Sequence, residues 1–153
     1  MSPEAIEDLP LFQGLAPDDI EPLIGLFRRD AFEKGAVIFA QGDPADRLYV
    51  LVAGEVAIRF KPPDGDELTV AVIKPGGVFG WSAALGRSAF TSCALCTEQA
   101  QAISVEGDEL RLLCETHPRT GVIILERLAG VIAQRLRNTH KHVIQLLRQG
   151  MVR

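Results

Sequence analysis

The apolar positions of this chain follow three periods in turn. Near the start, Leu9, Leu11, Phe12 and Leu15 gather around Gly14, and Ile20, Leu23, Ile24 and Phe27 then recur at helical spacing. Pro17 opens that helix, and Asp18, Asp19 and Glu21 fill its first turn, where the helix dipole favours anions. Pro22 sits deeper than a proline is normally tolerated, which predicts a kink or an early restart. Residues 1–30 therefore read as short helices. Between 31 and 106 the period shortens. Runs rich in Val, Ile and Leu at 36–40, 47–52, 55–61, 67–73 and 92–104 are divided by turn signals such as Lys34-Gly35, Gly42-Asp43-Pro44, Ala53-Gly54 and Asp64-Gly65. Short strands at near-regular spacing predict a barrel or sandwich. A helical pattern returns at 107–116, and Pro118 opens a long helix to about residue 150.

That last helix carries two stripes. Leu125, Ala129, Ile132, Leu136, Thr139, Val143 and Leu146 alternate at steps of four and three, a heptad seam. Ile124, Leu128 and Val131 face another way and stop at Arg135. The arrangement predicts a first half that packs on both the strand domain and a partner helix, and a second half that meets the partner alone. Arg137, Lys141 and Arg148 keep the outer face wet, favouring a homodimer over a helix lying across its own domain. His140 and His142 flank the seam near Arg135 with no acid to pair them. Their protonation is expected to weaken the dimer as pH falls.

Composition narrows the class. With 153 residues, 47% of them hydrophobic, the chain reads as one domain, residues 1–153, with a core of its own. No stretch is long and apolar enough to span a membrane, and the acidic start MSPEAIEDLP lacks the apolar core of a signal peptide. Three cysteines make an odd number, which fits a reducing cytoplasm better than a disulfide framework. A net charge of −4 argues against direct nucleic-acid binding, although from Arg127 onward there are only bases and all 20 acids lie before it.

The stretch with the most chemistry is 75–92, PGGVFGWSAALGRSAFTS. It holds Gly76, Gly77, Gly80 and Gly86 and one arginine among small hydroxyl residues. Glycines that take positive φ, with neighbouring free N–H groups, can cradle an anion. The same glycines can equally form a tight turn that closes the barrel. Cys93 and Cys96 lie three apart on a predicted strand, so they face opposite ways, and with Cys114 they read as small buried hydrophobes rather than metal ligands. No histidine–carboxylate cluster and no nucleophile–base pair is visible, which argues against an enzyme.

Four stretches together resemble a known family: LPLFQGL at 9–15, FEKGAVIFAQGDPADRLYVLVAGEVAI at 32–58, IKPGGVFGWSAAL at 73–85, and a closing helix after His117-Pro118. Their order and spacing resemble the cyclic nucleotide-binding domain of the catabolite-activator type. The resemblance implies a mainly β fold with flanking helices: an antiparallel, jelly-roll-like β-roll at 31–106, preceded by helices at 1–30 and followed by helices at 107–150. It also implies a phosphate-binding cassette after the Phe79-Gly80 turn, and a C-terminal helix that covers the pocket and dimerises. The candidate pocket is Phe79, Gly80, Trp81, Ser82, Ala83, Arg87, Ser88 and Ala89.

The departures bear directly on ligand binding. Where nucleotide-binding members of the family carry a glutamate for the ribose, this chain has Trp81, which offers no acceptor and far more bulk. The family's phosphate-binding arginine falls on Arg87 when matched by motif, through Arg87-Ser88-Ala89, and on Ser88 when counted back from Ala94-Leu95. Both registers remain open in sequence. The resemblance therefore implies a non-enzymatic sensor or regulatory module with a degenerate or altered pocket, no certain cofactor, and weakened or absent cyclic AMP binding. Its output would pass through a homodimer or a protein partner. A ligand-free interaction module and the effector half of a cyclic AMP-binding transcription regulator are the alternatives. Regulators of the family continue into a DNA-reading winged helix at about the point where this sequence ends.

Overall fold

The computed structural model describes residues 9–151, without the side chains of residues 139, 140, 142, 143, 146 and 149–151. A 3-10 turn, Pro10–Phe12, leads into helix α1, Pro17–Ile24. Eight strands follow: β1 Arg28–Phe32, β2 Val37–Phe39, β3 Arg47–Ala53, β4 Val56–Phe60, β5 Leu68–Ile73, β6 Val78–Phe79, β7 Cys93–Cys96 and β8 Ala100–Glu106. Helices α2, Gly107–Thr116, and α3, Pro118–Met151, close the described chain. The strands form two four-stranded sheets, β1-β8-β3-β6 and β2-β7-β4-β5, with antiparallel pairing throughout. This is the expected antiparallel roll with a long C-terminal helix.

The uninterrupted apolar run LYVLV in β3 has a simple cause: β3 is buried on both faces. Leu48, Val50 and Val52 point to one core, which they share with Ile103 and Val105 of β8, Leu23 of α1, Leu110 and Leu113 of α2, and Ile124 and Leu128 of α3. Tyr49 and Leu51 point to the other, between the sheets, with Phe39, Val56, Ile58, Phe79 and Phe90. The first core is largely aliphatic and ties the helices to the roll. The second holds four aromatic rings, Phe39, Tyr49, Phe79 and Phe90, and lies beside the cassette.

Two expectations need correction. The helical reading of 1–30 runs too far, because residues from Arg28 onward belong to β1, paired with β8 from Arg28↔Ser104 to Phe32↔Ala100. β1 is an edge strand, largely exposed and charged, so it has no apolar alternation to read. Phe27 accordingly leaves the helical stripe and packs edge-on against Phe12, with centroids 5.3 Å apart. Pro22, for its part, lies within an eight-residue α1 that does not restart. Residues 1–8 lie outside the described residues.

Leu9, Leu11 and Phe12 are buried, and the turn is held by the Arg127 guanidinium of α3, which donates to the Pro10 and Leu11 carbonyls at 3.2 and 3.1 Å. The α2–α3 junction is close enough to require glycine. A Cβ on Gly121 would stand 2.7 Å from Cys114 Cα. These contacts seat α3 across the mouth of the roll.

Candidate functional site

The cassette starts on β3. The Gly76 N–H donates to Leu51 O at 2.7 Å, and the Leu51 N–H to Gly77 O at 2.9 Å. β6 then pairs with β3, setting Phe79 beside Tyr49 and Val78 beside Val50. At Gly80 the chain must turn with φ +74°, and a Cβ there would meet Tyr49 Cδ1 at 3.1 Å and Arg47 O at 3.2 Å. Of the four cassette glycines, Gly76, Gly80 and Gly86 have positive φ and Gly77 does not.

Residues 81–86 coil into a short turn rather than an open cradle. The N–H groups of Ala83, Ala84 and Leu85 donate to the carbonyls of Gly80, Trp81 and Trp81, and that of Arg87 returns to Ser82 O at 3.0 Å. Those four donors are spent within the turn and are not available to an anion. Residues 88–90 then pair with the 42–45 turn: Ala45 N–H to Ser88 O, Phe90 N–H to Asp43 O and Gly42 N–H to Phe90 O, at 2.9–3.1 Å. Phe90 enters the aromatic core, stacked on Phe39 at 3.7 Å between centroids.

A cavity of about 370 Å³ opens above this aromatic floor. Phe39, Ile58, Phe60 and Val70 of the strands line one side, and Phe79, Gly80, Trp81 and Ser82 of the cassette line another. Phe90, Thr91 and Ser92 form the edge before β7, and Arg135 and Leu136 of α3 form the lid. Of the residues singled out in sequence, Phe79, Gly80, Trp81 and Ser82 meet at this cavity. Ala83 is buried just behind it, its carbonyl accepting from Arg111 Nη1 at 2.8 Å. Arg87 and Ser88 are exposed and Ala89 is half-buried, and none of the three lines the cavity. Neither sequence register therefore brings an arginine from the cassette into it.

The cation at the cavity comes from α3 instead. The Arg135 guanidinium lies 4.4 Å from the centroid of the Trp81 ring, and its Nη2 donates to Val78 O at 2.9 Å. Burial lowers its pKa from the ordinary arginine value. Among the described residues no carboxylate stands within ion-pair distance of it. In sequence Arg135 marks the end of the inner stripe and neighbours His140 and His142, and no motif places it in the ligand site. The available signal was its spacing, since Ile124, Leu128, Val131 and Arg135 step by four, three and four, setting a cation on the stripe that faces the roll.

The outer stripe of α3 is open. Leu125 and Leu136 are 47% and 63% exposed, Ala129 is exposed and Ile132 is half-buried. Val122, one step earlier on the same seam, is exposed as well. The side chains of Thr139, Val143, Leu146, His140 and His142 lie outside the described residues. Beside the helix, a groove of about 1310 Å³ runs between the exposed Leu68, Val70 and Val72 of β5 and Gly130, Val131, Gln134 and Asn138 of α3.

The thiols are apart from this site. Cys96 is buried and Cys93 and Cys114 are half-buried; burial raises the pKa of each. Among the described residues no group of three or more His, Cys, Asp or Glu could hold a metal ion, and no helix is long and apolar enough to cross a membrane.

A match to the family described as the cyclic nucleotide-binding domain spans residues 29–117. The chain belongs to the cyclic nucleotide-binding domain family. It is 33% identical over 137 residues to a CRP-like cAMP-activated global transcriptional regulator of Mycobacterium tuberculosis, covering 90% of this chain and 59% of that protein. The solved catabolite activator protein of Thermus thermophilus superposes with a TM-score of 0.74 at 28% identity, covering 90% of this chain and 62% of the other. A cyclic nucleotide-binding domain from Methylobacillus flagellatus matches in fold with a TM-score of 0.82 at 20% identity, over 93% and 80% of the two chains. The chain thus spans about three-fifths of the length of the curated regulator, 59%. It is a regulatory-type domain related to the effector halves of catabolite activators. Its cavity carries Trp81 just after the Phe79-Gly80 turn and a cation contributed from the helix.

Proposed function

We propose that this domain is a non-enzymatic sensor module that reads a small molecule in the cavity under α3 and passes the result on through a homodimer or a protein partner. One observation carries the reading: the lid of the cavity and the exposed heptad stripe belong to the same helix, with Arg135 on Trp81 and Leu136 on both surfaces. Whatever enters the cavity meets Arg135, so occupancy and the setting of α3 are linked. A second copy fits the outer stripe best, because the same seven-residue seam would face itself across a two-fold axis.

Cyclic AMP in the family's usual manner fits poorly. Trp81 provides no acceptor for a ribose hydroxyl, and the cassette contributes no cation to the cavity. The Mycobacterium relative is named as cAMP-activated; that activity does not carry over to this pocket without those two groups. Calorimetric titration with cyclic AMP and cyclic GMP, combined with sedimentation, tests the reading. The expected result is a dimer at tens of micromolar with no submicromolar binding of either nucleotide. Submicromolar cyclic AMP binding would restore the conventional effector, and a monomer would remove the dimeric output.

A further inference from the structure

We propose that the ligand of this cavity is a small monoanion, a carboxylate carried on an apolar body, held by Arg135 against the aromatic floor. The inference rests on the sensor reading above and names the ligand class for that same site. The cavity is about 370 Å³, near the low end of the roughly 300–1,000 Å³ usual for small-molecule pockets. Its floor is Phe39, Phe79 and Phe90, with Trp81 at the side, so the greater part of any occupant must be apolar.

The polar part is set by charge. Arg135 is a half-buried guanidinium with no carboxylate partner among the described residues. Withdrawing a cation from water is costly unless an anion or strong acceptors compensate. Here the compensation is incomplete: the Trp81 face and one carbonyl, Val78 O. The guanidinium carbon lies 4.4 Å from the Trp81 ring centroid, and of the donors in the planar guanidinium fork Val78 O takes one from Nη2. The remaining in-plane donors suit a carboxylate, which guanidinium binds at its edge. One cation balances one negative charge, so a carboxylate fits better than a phosphate dianion. Ser82, Thr91 and Ser92 supply hydroxyls at the cavity wall for a secondary polar group. Arg135 also lines the neighbouring groove, but the hydroxyls and Trp81 line only this cavity.

Trp81 is the sole tryptophan, so its emission reports directly on the site. The full chain would be titrated with 3-phenylpropionate and with octanoate, with 3-phenylpropionamide as the uncharged counterpart and cyclic AMP as the family ligand. At least one carboxylate is expected to shift Trp81 emission saturably and to bind tenfold or more tighter than the amide. That preference should vanish in Arg135→Gln and survive in part in Arg135→Lys, with circular dichroism confirming that both variants are folded. Equal binding of acid and amide would overturn the carboxylate class while leaving a small-molecule sensor. Tighter binding of cyclic AMP would overturn both the class and the altered-pocket reading. If neither carboxylate binds up to millimolar concentration, the inference is wrong, and the dimer measured by sedimentation stands or falls separately.

Discussion

The two stripes of α3 are built from the same kinds of residue and have opposite fates. Ile124 and Leu128 are buried among β3, β8 and α2, whereas Leu125 and Leu136, one residue or two turns away, are exposed. The difference is not hydrophobicity. It is which side of the helix meets the roll. The inner stripe therefore serves folding. The outer is an apolar surface kept at the cost of exposure, which is what an association surface requires. Arg135 lies where the two meet, at the point where the inner stripe reaches the cassette rather than the core.

The sharpest way to break the comparison is a charge on each stripe. Leu128→Glu should place an unpaired carboxylate in the aliphatic core and cost more than about 4 kcal/mol, a large share of a typical domain's stability. The expected outcome is loss of the cooperative thermal transition. Leu136→Glu should leave circular dichroism unchanged and weaken self-association about 100-fold or more in sedimentation. It removes an apolar side chain worth about 1.5–3 kcal/mol from each copy and sets two carboxylates facing each other. If Leu136→Glu unfolds the protein, or leaves a dimer intact, the outer stripe is not the association surface.

The residue between the stripes should behave as neither. Arg135→Ala loses the bond to Val78 O and the contact with Trp81, while relieving the burial of a cation. A net cost of about 1–2 kcal/mol is expected, read as a lower melting temperature with a red shift of Trp81 emission. Emission that does not move would mean that the helix lid and the cassette are not coupled through this pair.

The smallest effect belongs to an ion pair far from both stripes. Glu55 accepts from Lys74 and, secondarily, from Thr97 Oγ1, and these hydrogen bonds hold its carboxyl below its ordinary value of 4.5. Since the folded value is the lower one, any stabilisation is present above 4.5 and is lost as pH falls through the folded value. Lys74 is exposed and Glu55 half-buried, so water screens the pair from the lysine side; Glu55→Gln should change the melting temperature little at neutral pH, and the small difference should close in acid. A variant that melts far below wild type at neutral pH would show that the β4–β5 hairpin depends on this contact more than its exposure allows.

Much of the fold was legible because periodicity is written by burial. Helix α2 begins and ends where its pattern does, and β3, β4 and β5 lie within a residue or two of their apolar runs. β1 was not legible, since an exposed edge strand has no reason to alternate. The cassette was legible as a ligand-site position but not in its facing. Sequence leaves the anion anchor open between Arg87 and Ser88, and pairing of residues 88–90 with the 42–45 turn carries Phe90 inward and leaves both exposed.

By itself the sequence determined the strand runs that became β2 to β5, the long final helix, the two apolar stripes on it and the presence of Trp81 just after Phe79-Gly80. These are local facts, recorded in spacing and residue type. The sequence did not separate β7 from β8 or mark β1 and β6. Only the tertiary structure decided which stripe is buried, which residues before β7 enter the cavity, and that its cation comes from α3 rather than the cassette. Those depend on contacts between segments as distant in the chain as Val78 and Arg135, joined at 2.9 Å, and no local period encodes a contact across that separation.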